Sequence, residues 1–411
     1  MRALVFGVDP AAPPDPLPDD ALLRGLATVP MELIEVDDPE PIGPDWVVLR
    51  SRLTGICGSD SKQVFMENAE EEIDNAMTAL ISFPQVLGHE LVATVERMGP
   101  EATGVEIGER VVLNPWLSCG PRGIEPRCPP CQAGDLSLCW HFTDGRLSPG
   151  IHTGNAKEAT EGFAEFVPAH RSMILPVPDD VPDEIAVLAD PFAVSLHAVT
   201  RTPPPPGGKA VVYGAGALGT TTTAILRSLY PEVEVATIAR WPAQAAMAEK
   251  LGARVLAPEP RLQLVEELAA WSGGVLRTPW QGLPWAHPGG VDVVYDTVGK
   301  PETVEVGIRV LKARGSVVQT GVAAPGRFEW APLYFKEARI VGSNAFGIEE
   351  VDGKRQHGIA HYLDLVQQGR VDVSAMLTHT FPLEQWRDAF ATLARQGDTG
   401  AIKVAIDHRG G

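Results

Sequence analysis

Four of the five cysteines in this 411-residue chain cluster at Cys119, Cys128, Cys131 and Cys139, spaced C-x8-C-x2-C-x7-C. Thiolates are soft ligands that hold zinc at about 2.3 Å, and four of them make a closed, tetrahedral structural site. The fifth, Cys57, stands in Gly-Ile-Cys-Gly-Ser-Asp, upstream of Gly88-His89-Glu90. One Cys with a His and a carboxylate makes an open site, with a position left for water or substrate. The third ligand must come from far along the chain. Asp190, in Ala-Asp-Pro-Phe-Ala-Val, is the candidate, and Glu90 is an optional fourth ligand. Two zincs are therefore expected, one structural and one catalytic. Taken singly, a lone Cys is more often a small buried hydrophobe, a His-Glu pair a surface pair, and an Asp-Pro a turn. Their co-occurrence beside a nucleotide motif carries the reading.

That motif is Gly214-Ala-Gly216-Ala217-Leu218-Gly219. It follows the apolar run Ala210–Tyr213 and opens a helical stretch, the context that gives Gly-x-Gly-x-x-Gly its meaning. Gly214 serves the tight turn, Gly216 the approach of backbone to a pyrophosphate, and Gly219 the packing of helix on strand. The helix N-terminus supplies free N–H groups for the phosphates. NAD binders place an acidic residue about 20 residues on, against the ribose 2′-hydroxyl. Here the chain has Ala239 and Arg240. A missing carboxylate and an added guanidinium favour a 2′-phosphate, hence NADP(H) over NAD(H).

The elements that must hold these residues fall into two textures. Val47–Leu53, Leu91–Val95 and Arg110–Leu113 read as strands separated by glycine turns, and the cysteine lobe follows at about 116–160. The N-terminal apolar stretch reads as a first strand, residues 10–30 as a proline-rich acidic loop, and residues 66–80 as a short acidic helix. From about 185 strands alternate with helices, which means a parallel sheet with right-handed crossovers. The strands are 210–213, 233–238, 254–256, 291–295 and 316–319, with helices to Leu229 and over 243–251 and 262–271; Gly252 is placed to stop the second of these. The last 70 residues return to a mixed pattern, with helices near 357–368 and 384–396 and a final strand over 401–406.

A chain this long is expected to form two domains. Its 44% hydrophobic and 21% charged residues are ordinary for a globular protein. No apolar run approaches the roughly 18 residues of a membrane span, and the N-terminus lacks a signal-peptide cleavage pattern. A cytoplasmic, reducing location follows as an expectation, which favours metal ligation over disulfides. The net charge of −19 argues against nucleic acid or an anionic membrane as a partner.

These residues together resemble the medium-chain, zinc-dependent alcohol dehydrogenase family over nearly the whole chain. The likeness rests on Gly-Ile-Cys57-Gly-Ser59-Asp60, Gly88-His89-Glu90, the four-Cys lobe, Gly162-Phe-Ala-Glu-Phe-Val, Asp190-Pro, the Gly214 loop, Asp296-Thr-Val298-Gly and Ala401-Ile-Lys-Val. It implies an α/β protein. A GroES-like, mostly-β catalytic domain would take residues 1–185 and 341–411, and a doubly wound parallel Rossmann domain residues 186–340. The resemblance puts Cys57, His89 and Asp190 on catalytic ligand positions, and Glu90 on a carboxylate that binds or flanks zinc. Ser59 falls on the hydroxyl that begins a proton relay, and Val298 on the cofactor side. It also implies zinc as a Lewis acid facing the nicotinamide at the domain seam, Ser59 taking the alcohol proton, hydride passing to the nicotinamide, and a homodimer or homotetramer.

The chain departs from the pattern in places. Lys62 stands where many members carry the relay's outer His, so it either relays through solvent or is a solvated side chain near the cofactor. The first gap of the cysteine lobe, Gly120–Arg127, is eight residues where two are common; closure cost grows slowly with loop length, so it still permits a zinc site. Trp271–Gly290 is unusual, and Trp280 and Trp285 read as covering the sheet edge rather than as a contact surface. Pro115 and Trp116 are candidates for the substrate pocket wall, with Phe346 a weaker one. The leading reading is an NADP(H)-dependent alcohol dehydrogenase or carbonyl reductase acting on a small-molecule alcohol or carbonyl. An aldehyde, polyol or threonine-type dehydrogenase using NAD is the alternative. A non-catalytic NADPH- and zinc-binding sensor is disfavoured by the intact ligand set, and a zinc-ribbon nucleic-acid module by the charge.

Overall fold

The computed structural model describes residues 1–9, 15–66, 76–323 and 326–410. It divides into two compact units: Met1–Asp190 with Ile359–Gln367 and Leu377–Gly411, and Pro191–Gly358 with Gln368–Met376. The second boundary lies later than the expected 340/341. Arg339–Gly342 pairs in parallel with Leu311–Gln319, which keeps it in the sheet of the second unit.

The first unit is built on a seven-stranded sheet. Its order is Leu377–Phe381, Lys403–Asp407, Trp46–Gly55, Glu90–Met98, Arg110–Leu113, Ile174–Pro176, with Phe166–His170 also paired to Trp46–Gly55. Every pairing is antiparallel except the one between the first two strands. Trp46, Val47, Leu49, Leu91, Val95, Val111 and Leu113 belong to one apolar core cluster built on it. The register sets up the site: Gly55 stands opposite Glu90 on one side and Ala405 on the other. Lys403, two residues before Ala405, shares its face of the strand. Gly55 has to be glycine, because a Cβ there would overlap the Glu90 carboxylate.

The second unit is a six-stranded parallel sheet of Lys209–Tyr213, Glu234–Ile238, Arg254–Leu256, Val291–Asp296, Leu311–Gln319 and Arg339–Gly342. Numbered along the chain, these strands run 3-2-1-4-5-6 across the sheet. This is the Rossmann order, whose ligand crevice lies where the order reverses, between strands 1 and 4. The ends of those strands are pinned together: Thr297 Oγ1 donates to Tyr213 O at 2.9 Å, and the buried Asp296 carboxylate accepts from Val298 N, Gly299 N and Thr303 Oγ1. The helix Ala217–Leu229 follows strand 1.

Some expectations give way. Residues 10–30 are not all loop: Ala21–Thr28 is a helix, capped by Asp20, which accepts Leu23 N–H at 3.0 Å, and anchored by buried Leu26. The flanking prolines and acids obscured that short apolar face. The acidic helix expected at 66–80 falls mostly outside the described residues; within them, Ala76–Leu80 is a 3-10 turn. Trp280 is fully exposed and covers nothing, whereas Trp285 stacks on His287 and lies near Phe335. A helix at Pro301–Val310, not foreseen, completes the alternation of strands and helices. Among the described residues no helix is long and apolar enough to cross a membrane.

Candidate functional site

Cys57 closes the N-terminal side of the helix Gly58–Val64, and its own N–H is taken by Asp60 Oδ2 at 2.8 Å. The other oxygen of Asp60 lies 3.6 Å from His89 Nδ1. One buried carboxylate thus holds the loop carrying Cys57 and faces the His89 ring at ion-pair distance, while His89 Nδ1 is buried with no hydrogen-bond partner. Burial raises the Asp60 pKa against the opposing pull of His89. Burial works against protonated His89, but the negative charges of Asp60, Cys57 and Asp190 overcome it and lift that pKa well above the usual histidine range.

One donor atom each from Cys57, His89 and Glu90 lie within 4.8 Å of one another. Asp190 is not a member of that group, but it lies beside it in the same unit. Its carboxyl interacts through charge with His89, Glu90, Lys403 and His152, and burial pushes its pKa up to about 7. Its Oδ2 is buried without a hydrogen-bond partner. A buried carboxylate oxygen left unpaired is expensive unless a cation or donor answers it. A thiol, an imidazole and an orphaned carboxylate fit zinc, the borderline-soft ion that takes S, N and O donors.

Glu90 occupies a different position from its neighbours. Both its oxygens sit 2.6 Å from Lys403 Nζ, which also donates to Ile56 O at 3.1 Å. Both side chains are almost fully buried, at 3% and 1% exposure for Lys403 and Glu90. Burial lowers the Lys403 pKa, but Glu90, Cys57 and Asp190 outweigh it and keep it raised. Sequence reasoning had Lys403 only as part of the terminal Ala-Ile-Lys-Val. The readable signal was a lysine inside an apolar strand, which requires a buried counter-charge.

Ser59 is exposed in the first turn of the Gly58–Val64 helix, and Lys62 is half-buried one turn on. Residues three apart share a helix face. Trp116 is buried, with its ring 6.0 Å from that of His152 and 6.2 Å from Phe142. Phe346 belongs to the second unit, packed on His357.

The four lobe cysteines converge. All are buried and their sulfurs form one donor group. Cys119 and Cys139 Sγ are 3.7 Å apart and Cys128 and Cys139 Sγ 3.9 Å. A tetrahedron with corners about 2.3 Å from its centre has an edge of about 3.8 Å. Cys128 N and His141 N each donate to a cluster sulfur at 3.4 Å. The long first gap is organised by Arg122, whose fully buried guanidinium donates to the carbonyls of Leu117, Asp144, Leu147, Ser148 and Gly150 at 2.7–3.1 Å. Cys128→Ser is expected to remove one bound zinc per chain and to weaken folding, read by elemental analysis and thermal unfolding; unchanged zinc content would refute a structural ion here.

In the second unit, a Cβ on Gly219 would collide with Gly214 O, whereas one on Gly216 would meet nothing within 4 Å. Helix and strand are in contact at one glycine, and open space lies in front of the other. Ala217 and Leu218 start the helix, half-buried, and Val298 is half-buried at the end of strand 4. Ala239 is buried, and Arg240 is exposed with its guanidinium 4.7 Å from the Trp241 ring centre.

Residues 43–179 match the alcohol dehydrogenase GroES-like domain, and residues 217–357 the zinc-binding dehydrogenase domain. The chain belongs to the zinc-type medium-chain alcohol dehydrogenase family and is an oxidoreductase of that family. Among its relatives, (R,R)-butanediol dehydrogenase of Saccharomyces cerevisiae is 29% identical over 77% of this chain and 81% of its own. L-threonine 3-dehydrogenase of Mesorhizobium japonicum is 27% identical over 94% and 98%. A crystal structure from Sinorhizobium meliloti 1021, assigned to the zinc-binding dehydrogenases and bound to NADP, is 26% identical with a TM-score of 0.70, covering 92% of this chain and 96% of that one.

Proposed function

We propose that this protein transfers hydride between NADP(H) and a secondary alcohol or its ketone that carries a hydroxyl or amino group on the neighbouring carbon. The observation that carries the reading is the Cys57–His89–Glu90 donor group with the orphaned Asp190 oxygen beside it. The substrate class rests on the relatives. Butanediol, xylulose, threonine, acetoin and sorbitol are the compounds in their names, and each bears a heteroatom next to the reacting carbon.

Cys57, His89 and Asp190 would hold the ion, with Glu90 flanking it, because Lys403 already neutralises Glu90. Zinc bound there supplies Lewis-acid polarisation of the substrate oxygen. Asp60 fixes the Cys57 loop and sets a negative charge against the His89 ring. Ser59 Oγ takes the hydroxyl proton as hydride leaves the carbon, and Lys62, on the same helix face, passes it outward. Trp116 forms an apolar wall. The Gly216 backbone receives the pyrophosphate, between Ala217, Leu218 and Val298. Arg240 meets the 2′-phosphate, pre-oriented over Trp241.

The test is a panel of vicinal diols, amino alcohols and simple alcohols assayed with each coenzyme. Turnover of the first two classes, faster with NADP(H), is expected. No turnover with either coenzyme while two zincs remain bound would overturn the reading, and a strong NAD(H) preference would overturn the role of Arg240. Arg240→Ala should lower kcat/KM for NADPH by about 10–100-fold, the value of about 1.5–3 kcal/mol for a charged hydrogen bond, with little change for NADH.

A further inference from the structure

Beside the expected ligand set lies a second group of donors within 4.8 Å of one another: His89, His152 and Glu161. His89 belongs to both groups. The His89 and His152 rings are 5.1 Å apart, and the His152 side chain is 15% exposed. Glu161 is completely buried. One of its oxygens accepts from Thr153 Oγ1 at 2.7 Å and lies 2.9 Å from His152 Nδ1. The other, Oε2, is buried with no hydrogen-bond partner.

Two features point to a cation. His152 Nδ1 faces two oxygens, Glu161 Oε1 and Thr153 O at 2.5 Å, so electron-pair donors converge on that edge of the ring, where a proton or a metal ion must answer them. The orphaned Glu161 Oε2 is, in addition, a desolvated anionic oxygen, costly without a cation or donor to meet it. Gly154 admits it: a Cβ there would sit 2.5 Å from that oxygen.

We propose that His152 and Glu161 are further metal ligands of this centre, and that a transition-metal ion has two alternative positions in it. One is on the Cys57 side and the other in the His89–His152–Glu161 group. Because the two sets share His89, they are stations for one ion rather than sites for two. A two-imidazole, one-carboxylate set suits zinc, cobalt, iron or manganese, whereas thiolate draws the softer ions to the Cys57 side. The proposal shares with the functional reading only the premise that His89 takes a metal, and its test requires no turnover.

Zinc content and affinity of the intact chain are measured by elemental analysis after competition with a graded series of chelators, and by the visible spectrum after exchange into cobalt. The wild type should hold two zincs, one in the cysteine lobe and one here. Cys57→Ser should still hold two, the second released about 10–100-fold more readily, with a cobalt spectrum of nitrogen and oxygen ligation. Adding His152→Phe, which keeps an aromatic ring between His89 and Trp116, should leave only the lobe zinc. Glu161→Gln in the Cys57→Ser background keeps the side chain's shape and should weaken the second zinc by a further 10–100-fold. Retained lobe zinc and unchanged circular dichroism certify the fold of each variant. The proposal is overturned if Cys57→Ser alone drops to one zinc, or if both added substitutions leave the second zinc as tight as in Cys57→Ser.

Discussion

Lys403→Met is expected to destabilise the protein by about 3–5 kcal/mol, because it leaves the Glu90 carboxylate buried and uncompensated. Wild-type Glu90 meets water nowhere, and Lys403 Nζ contacts both its oxygens. Gly55 and the neighbouring strands leave it no route to solvent. A buried charge that cannot escape shifts its protonation or unfolds its surroundings. The cost lies in the unpaired anion rather than in the lost lysine, so Lys403→Met/Glu90→Gln should recover more than half of the stability. Urea unfolding of the wild type, Lys403→Met, Glu90→Gln and the double variant checks this. Equal losses in the single and double variants would show that the pair is not coupled. The folded fraction of the single variant should also hold a metal more tightly, since the freed Glu90 carboxylate, a member of the donor group, must find another cation.

The second large effect is expected at Arg122. Arg122→Met removes donors from five carbonyls at once. At about 1 kcal/mol for each hydrogen bond, the loss is about 3–5 kcal/mol, confined to the segment from Leu117 to Gly150. Sensitivity to limited proteolysis in that segment and loss of one zinc should appear together, with the parallel sheet of the other unit intact. Arg122→Lys should fail nearly as badly, because three donors on a flexible stem cannot reproduce a planar fork. Protease resistance equal to the wild type would mean that the cysteines alone hold the lobe.

What was legible in the sequence follows the range of the forces involved. The parallel sheet was readable because buried strands are continuous apolar runs and glycines punctuate them; the Ala217–Leu229 helix ends where the sequence places its end. The convergence of the lobe cysteines was readable because a C-x2-C pair flanked by two further cysteines is a metal-ligand spacing. The partnerships that depend on register were not. Nothing local links Glu90 to Lys403, and only strand pairing through Gly55 and Ala405 puts them face to face. Arg122 looked like a loop residue because its five partners are backbone oxygens, which carry no sequence signature. His152 and Glu161 were passed over for a related reason: each is unremarkable alone, and the loop at Gly154 that brings them together is set by a positive φ of 80°.

The Glu90–Lys403 pair also has a bearing on timing. The two residues are 313 positions apart, so during synthesis Glu90 emerges long before its partner. Until the strand at 403–407 docks, the strand carrying His89 and Glu90 cannot close over its own carboxylate without desolvating a lone anion. The nascent centre therefore stays hydrated and open while Cys57, His89 and Asp190 are already made. By contrast, the four donors of the cysteine lobe all lie within residues 119–139, so their convergence does not wait for the strand at 403–407 to dock.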